Sequence, residues 1–165
     1  MDNPLTGNDI KQLFNNKIKI ITYEELTHYN NIDELLHPYN RVCILYVWKK
    51  DPNPYGHWIC CFRNVNNNIE VFDPFGNFVD DFLNTIPKNF RIENNEYYKQ
   101  LSHLLVNSKY DVEYNDKPLQ SKHTSTCGKW CAYRMLRNKD TIEEFHDLFT
   151  DNPLQNDKMI LKLFS

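Results

Sequence analysis

Four residues of this 165-residue chain could together attack a carbonyl: Cys127, His57, Asp73 and Gln120. A thiol nucleophile needs a base, a group that orients the base, and donors for the oxyanion that forms. Cys127 stands where a polar stretch, QSKHTST (120–126), gives way to CGKWCAYRML (127–136). Ser121, Thr124, Ser125 and Thr126 suit helix caps better than helix interiors. Beyond them Trp130, Cys131, Met135 and Leu136 recur at helical spacing. This predicts a helix with Cys127 in its first turn, where unpaired N–H groups and the positive end of the dipole favour a thiolate. Gly128 leaves room for another backbone to come close. Alone, a Cys-Gly at a helix start is ordinarily a small packed residue, and it is the other three positions that shift the weight towards chemistry.

His57 lies near the start of the run GHWICCF, and Asp73 in the middle of EVFDPFG. The two runs read as a hairpin, 57–63 and 69–72, joined by 64–68. Antiparallel pairing brings the start of the first strand beside the end of the second, so two side chains 16 residues apart can meet. In that geometry His57 would hold the thiolate as an imidazolium partner and protonate the leaving amine. Such a partner, together with the helix terminus, lowers a thiol pKa from about 8.5 to roughly 3.5–7.5. Asp73 would fix the imidazole tautomer. Gln120, seven residues before Cys127, would donate to the oxyanion beside the Cys127 N–H. Each has an ordinary alternative: a hydrogen-bonded strand histidine, a turn aspartate before Pro74, a solvated loop glutamine. Trp58 is either a large apolar anchor or a wall that shields the His57–Cys127 pair from water. His123 is a weaker base candidate, and His28, His37, His103 and His146 read as surface or packing residues. Cys43, Cys60, Cys61 and Cys131 fall on apolar faces, and no Cys/His set has zinc spacing.

The order His57-Trp58, Asp73, Gln120, Cys127-Gly128 resembles the adenain clan of cysteine proteases, over about residues 42–136. Asp73-Pro74-Phe75-Gly76 and the seven-residue Gln spacing are most similar to its adenovirus, virophage and Polinton-type branch. The resemblance implies an α+β fold with a mixed central sheet packed by helices and the nucleophilic cysteine at a helix N-terminus. It implies cleavage after small residues such as glycine, with Trp58 and Gly128 at the substrate. Virion or capsid precursor proteins would be the substrates, and the virion and the cytoplasmic virus factory the places of action. Deconjugation of a ubiquitin-like protein is the alternative enzyme reading. An inactive descendant kept as a binding or capsid-associated protein is the alternative from another class, and an acetyltransferase is a remote third.

The adenovirus-type enzyme is activated by a disulfide-linked peptide and by DNA. Here no cysteine lies between Cys61 and Cys127, and the corresponding stretch, 109–116, is KYDVEYND, so no disulfide-linked activator is expected. With 19 Lys+Arg against 22 Asp+Glu, net charge −3, the overall field opposes DNA, leaving only local basic stretches at 49–50 and 134–139. No metal or other cofactor is expected, and the chain reads as a monomer.

Composition bounds the rest. An apolar fraction of 41% supports a real core in one domain, 1–165. No apolar run nears the ~20 residues of a membrane span, and the first residues lack a signal-peptide core. Five cysteines, two of them adjacent, argue against a disulfide framework and for a reducing compartment. A buried strand is predicted at 41–48, a surface loop at 49–55, and a short strand at 111–114, for three or four strands in all. Helical segments are predicted near 10–14 (capped by Thr6 with Asp9), after Thr22 and after Asn31, at 79–86, 97–106, 141–149 and 153–164, with a break at Pro87. The Asn clusters are read only as turns.

Overall fold

The most apolar run of the sequence becomes the middle of a five-stranded sheet. The structure, a computed structural model, describes residues 3–49 and 55–165. Strand β2 (Arg41–Lys49) pairs antiparallel with β3 (Tyr55–Arg63), with Cys43 opposite Cys60 and Tyr46 opposite His57. Strand β4 (Ile69–Phe72) pairs antiparallel with β3 over its far half only, from Arg63 to Cys60. Two parallel strands complete the order β1-β2-β3-β4-β5: β1 (Lys19–Thr22) beside β2, and β5 (Val112–Tyr114) beside β4. The sheet is therefore mixed, and the fold is α+β. Between β2 and β3 the predicted loop lies largely outside the described residues.

Helices cover both faces. On one lie a 3₁₀ segment (Tyr23–His28), α2 (Ile32–Leu36) and α4 (Gln100–Val106), packed on Ile44, Tyr46, Ile59, Cys61 and Val71. On the other lie α1 (Gly7–Leu13), α5 (Cys127–Leu136), α6 (Ile142–His146) and α7 (Pro153–Leu163), packed on Cys43, Leu45, Trp58, Cys60, Phe62 and Phe72. Cys60 and Cys61 thus face opposite layers, as strand alternation requires. The predicted caps form: Thr6 with Asp9, Thr22 with Glu25, Asn31 over Glu34, Thr141 with Glu144, and Asn152 ahead of Pro153. Five asparagines (15, 16, 40, 67 and 95) take positive φ, a conformation their short polar side chain tolerates, and so turn the chain between elements.

Three readings needed correction. A fifth strand, β1, was not foreseen, because KIIT is too short to show alternation between a turn and a cap. The segment 79–86 is not an α-helix but a short 3₁₀ turn, Asp81–Thr85. There Asp80 takes positive φ (68°), and its carboxylate is held by Tyr23 Oη (2.7 Å), Tyr46 Oη (2.9 Å), Ser102 N (2.8 Å) and Ser102 Oγ (2.6 Å). Those bonds outweigh the apolar period of the segment. Beyond Pro87 an extra helix, α3 (Lys88–Glu93), forms with the proline as its N-cap, and α4 starts later than predicted, at Gln100.

Helix α5 is fastened to the sheet by a fully buried pair. Arg134 Nε and Nη2 donate to the two oxygens of Glu70 at 2.8 and 2.9 Å. The same guanidinium lies against the Phe62 and Phe145 rings. Arg137 pairs with Asp140 at 2.7 Å. The basic stretch 134–139 is therefore largely neutralised within the fold. Removing one partner of a buried pair strands the other charge and costs about 3–5 kcal/mol. Glu70→Ala is expected to lose stability on that order, measured by urea unfolding. A midpoint equal to that of the wild-type protein would contradict this role for the pair.

Candidate active site

The site forms where β4 stops. Its last residue, Phe72, sits opposite Cys60, so β3 continues towards His57 without β4 beside it. Into that gap the chain folds the turn of Asp73, Pro74, Phe75 and Gly76. The Gly76 N–H donates to the Asp73 carbonyl at 2.8 Å, and the Phe75 N–H donates to Asp73 Oδ1 at 2.9 Å. Gly76 has φ +75°, and a Cβ there would come within 2.6 Å of the Lys117 backbone, so only glycine closes this turn. Asn115 Nδ2 holds the Asp73 carbonyl at 2.6 Å, and Asn77 Nδ2 reaches Asp73 Oδ2 at 3.2 Å. The carboxylate is thus aimed before any partner arrives.

His57 Nε2 lies 2.7 Å from Asp73 Oδ1, and the side chain of His57 also hydrogen-bonds Cys127. The ring is buried, stacked on Phe75 (centroids 4.3 Å apart) and tilted against Phe82 (4.6 Å). Burial alone would lower its pKa. The charge and hydrogen bond of Asp73, with those of Cys127, outweigh burial and raise it from 6.5 to about 10. At neutral pH the imidazole is therefore a cation held between a carboxylate and a sulfur. The Trp58 backbone N–H also donates to Cys127 Sγ, at 3.4 Å.

Gln120 is brought to the same place by Pro74. The Pro74 carbonyl accepts from Leu119 N (2.9 Å) and Gln120 N (3.0 Å), tying the Gln120 segment to the turn that carries Asp73. The Gln120 carboxamide is buried, its Nε2 donating to the Thr124 carbonyl at 3.0 Å, while Oε1 has no partner. Turning the amide over would set two oxygens against each other at Thr124.

All six residues singled out in the sequence meet here, but Trp58 and Gly128 do so differently from the expectation. The Trp58 indole Nε1 donates to the Leu5 carbonyl at 3.3 Å. A Cβ at Gly128 would lie 3.2 Å from Leu5 Cβ and 3.3 Å from Trp58 Cδ1. The backbone that approaches Gly128 is the chain's own N-terminal segment, which Lys129 Nζ also ties down at the Asn3 carbonyl. His123 is exposed on the loop. His146 is not a mere surface residue: its Nε2 lies 2.6 Å from Asn115 Oδ1, behind the Asp73 turn. Burial pushes up the pKa of the Cys43, Cys61 and Cys131 thiols, which stay neutral. Among the described residues no group of three or more His, Cys, Asp or Glu could hold a metal, and no helix is long and apolar enough to cross a membrane.

Sequence reasoning missed Asp157, in the middle of α7. Its buried carboxylate accepts from Ser121 N (2.9 Å), Thr124 Oγ1 (2.8 Å), Thr126 Oγ1 (2.8 Å) and Trp130 Nε1 (3.0 Å). Nothing local in DNPLQNDKMI marks it, because its partners lie 27 to 36 positions earlier.

The raised pKa of His57 has a consequence for stability. A group whose pKa rises on folding stabilises fully below its unfolded value, near 6.5, and loses that contribution as pH climbs towards about 10. The stability of the wild type relative to His57→Gln is therefore expected to decline between pH 6 and pH 10, read from urea midpoints across that range. A difference that stays flat with pH would contradict an imidazolium here.

No protein-family model matches the chain. Among solved structures it is similar to the ASFV pS273R protease, with a TM-score of 0.46 and 15% identity; the match covers 87% of this chain and 61% of that one, so this chain spans about three-fifths of its length. In sequence it is 36% identical over 149 residues to "Uncharacterized protein V9" of Sputnik virophage, covering 89% of this chain and 83% of that protein. At that identity, over most of both sequences, the chain belongs to the same family as the Sputnik virophage V9 protein.

Proposed function

We propose that the chain is a cysteine endopeptidase that cleaves virion precursor proteins after small residues. The observation that carries this is the buried His57, hydrogen-bonded at once to Asp73 and to Cys127 at the start of a helix. A cation in that place favours the thiolate, which attacks the substrate carbonyl carbon. The oxygen takes the negative charge, beside the Cys127 backbone N–H and an Nε2 hydrogen of Gln120. Collapse of this intermediate breaks the C–N bond, and His57 gives its proton to the departing amine. The resulting neutral imidazole then takes a proton from water, which attacks the thioester; the acid product leaves, and thiolate and imidazolium are restored. Asp73 holds the ring in register throughout. Close packing of Trp58, Leu5 and Gly128 beside the sulfur supports a preference for small residues at the cleaved bond.

In a fluorogenic peptide assay, cleavage is expected after Gly or Ala and not after bulky residues, and Cys127→Ala should abolish it while leaving the unfolding midpoint near that of the wild type. Turnover retained in purified Cys127→Ala would sink the proposal. Gln120→Ala is expected to lower turnover by ~10²–10³ with little change in KM; a change confined to KM would make Gln120 a binding residue only. Labelling by a ubiquitin-like vinyl-sulfone probe would point to deconjugation instead. The acidic balance of the chain and the internal pairing of Arg134 and Arg137 argue for activity without DNA. Rates with and without duplex DNA should agree over about 50–200 mM salt, the range in which phosphate contacts are lost. Strong stimulation at the low end would overturn that expectation.

A further inference from the structure

We infer that Asp157 is the positioning residue of the oxyanion hole: one carboxylate on α7 sets both donors of the proposed endopeptidase at once. The inference rests on the reading above. It starts from an anomaly at the start of α5. Thr126 occupies the N-cap position, yet its hydroxyl makes no cap bond to the first turn of the helix. It donates instead to Asp157 Oδ1, which also takes the Trp130 indole N–H from the next turn. A threonine N-cap ordinarily turns its hydroxyl to the N–H of the second or third helical residue, here Gly128 or Lys129. Asp157 thereby holds Thr126, whose carbonyl accepts from Trp130 N at 3.0 Å, together with the Trp130 indole of the next turn, and so fixes the direction of the helix start that carries the Cys127 N–H.

The other oxygen does the same for Gln120. Asp157 Oδ2 takes Ser121 N and Thr124 Oγ1, and the carbonyl of that same Thr124 holds Gln120 Nε2. The carboxamide is thereby oriented through one intermediate residue. Four neutral donors satisfy the buried carboxylate, two on each oxygen, and all lie between residues 121 and 130. Full satisfaction by several donors is what makes a buried charge tolerable and rigidifying. No substitute does this as well. An asparagine has the same shape but only one acceptor oxygen, and its NH₂ would confront two donors on the side it faces.

The test compares wild type and Asp157→Asn in two reactions of Cys127. Peptide hydrolysis passes through an oxyanion. Alkylation by iodoacetamide is a displacement at a saturated carbon and forms none, so it reads the thiolate and its His57 partner alone. Cys127 is the most exposed of the five thiols, 7% against 0% for the others. In Asp157→Asn we expect kcat to fall at least about tenfold, KM to change little, and the alkylation rate to stay within about twofold of wild type. Combined with Gln120→Ala, the loss should be short of the product of the two separate losses, since the Gln120 donor is common to both and only the effect of Asp157 on the Cys127 side remains. Unchanged kcat overturns the inference, and so does a loss of alkylation matching the loss of turnover, which would mean a general disordering of the site. Should Asp157→Asn fail to fold, Thr124→Val and Thr126→Val each remove one tie, and the same split between kcat and alkylation decides. A wild-type protein that cleaves no peptide removes the endopeptidase reading and this inference together, whereas an active wild type with an indifferent Asp157→Asn removes only the latter.

Discussion

A protonated imidazole wedged between a carboxylate and a sulfur is the contact on which the rest of this structure depends. His57 is buried between two phenylalanine rings, an environment that disfavours charge, and it is charged nonetheless because Asp73 and Cys127 lie on either side of it. Keeping that arrangement requires three separate pieces of chain to arrive with errors well under an ångström: a strand, a turn and a helix start. Each is over-determined. The strand is held through Tyr46 opposite His57, the turn by Gly76, Asn115 and Asn77, and the helix by the Glu70–Arg134 pair behind it and Asp157 beside it.

The sheet creates the space for this by being incomplete. Were β4 as long as β3, a main chain would lie where His57, Asp73 and Cys127 meet. Because it ends at Phe72, His57 leaves the sheet on one face and still reaches a sulfur supplied by a helix on the other. The gap also lets a single carbonyl, that of Pro74, receive both Leu119 and Gln120. Asp73 and Gln120 therefore share one fixed point, and a shift of the turn would move both together.

What could be read from the sequence was whatever depends on neighbours in the chain. The hairpin with His57 at its start and Asp73 past its end, the cap pairs, and the helix opening at Cys127 all announce themselves within a few residues. The 79–86 segment misled because its apolar spacing is local, whereas the bonds from Asp80 to Tyr23, Tyr46 and Ser102 that oppose a helix are not. Asp157 was invisible for the same reason. So was β1, whose short apolar run acquires meaning only beside β2. Gly128 was correctly seen as a place of close approach, but sequence could not say that the approaching backbone was residues 3–5 of the same chain.

That last contact separates two things usually inherited together. The N-terminal segment is fastened beside Cys127 through the carbonyls of Asn3 and Leu5, groups that every residue possesses, with Lys129 and the Trp58 indole as the donors. Its path is thus encoded in those partners together with the Leu5 side chain, which packs on the core of that face. Asn3 and Pro4, both exposed, can drift through many substitutions while Leu5 keeps the segment along the same edge. Substitutions at those two exposed positions would change what lines that edge while leaving His57, Asp73, Gln120 and Cys127 untouched.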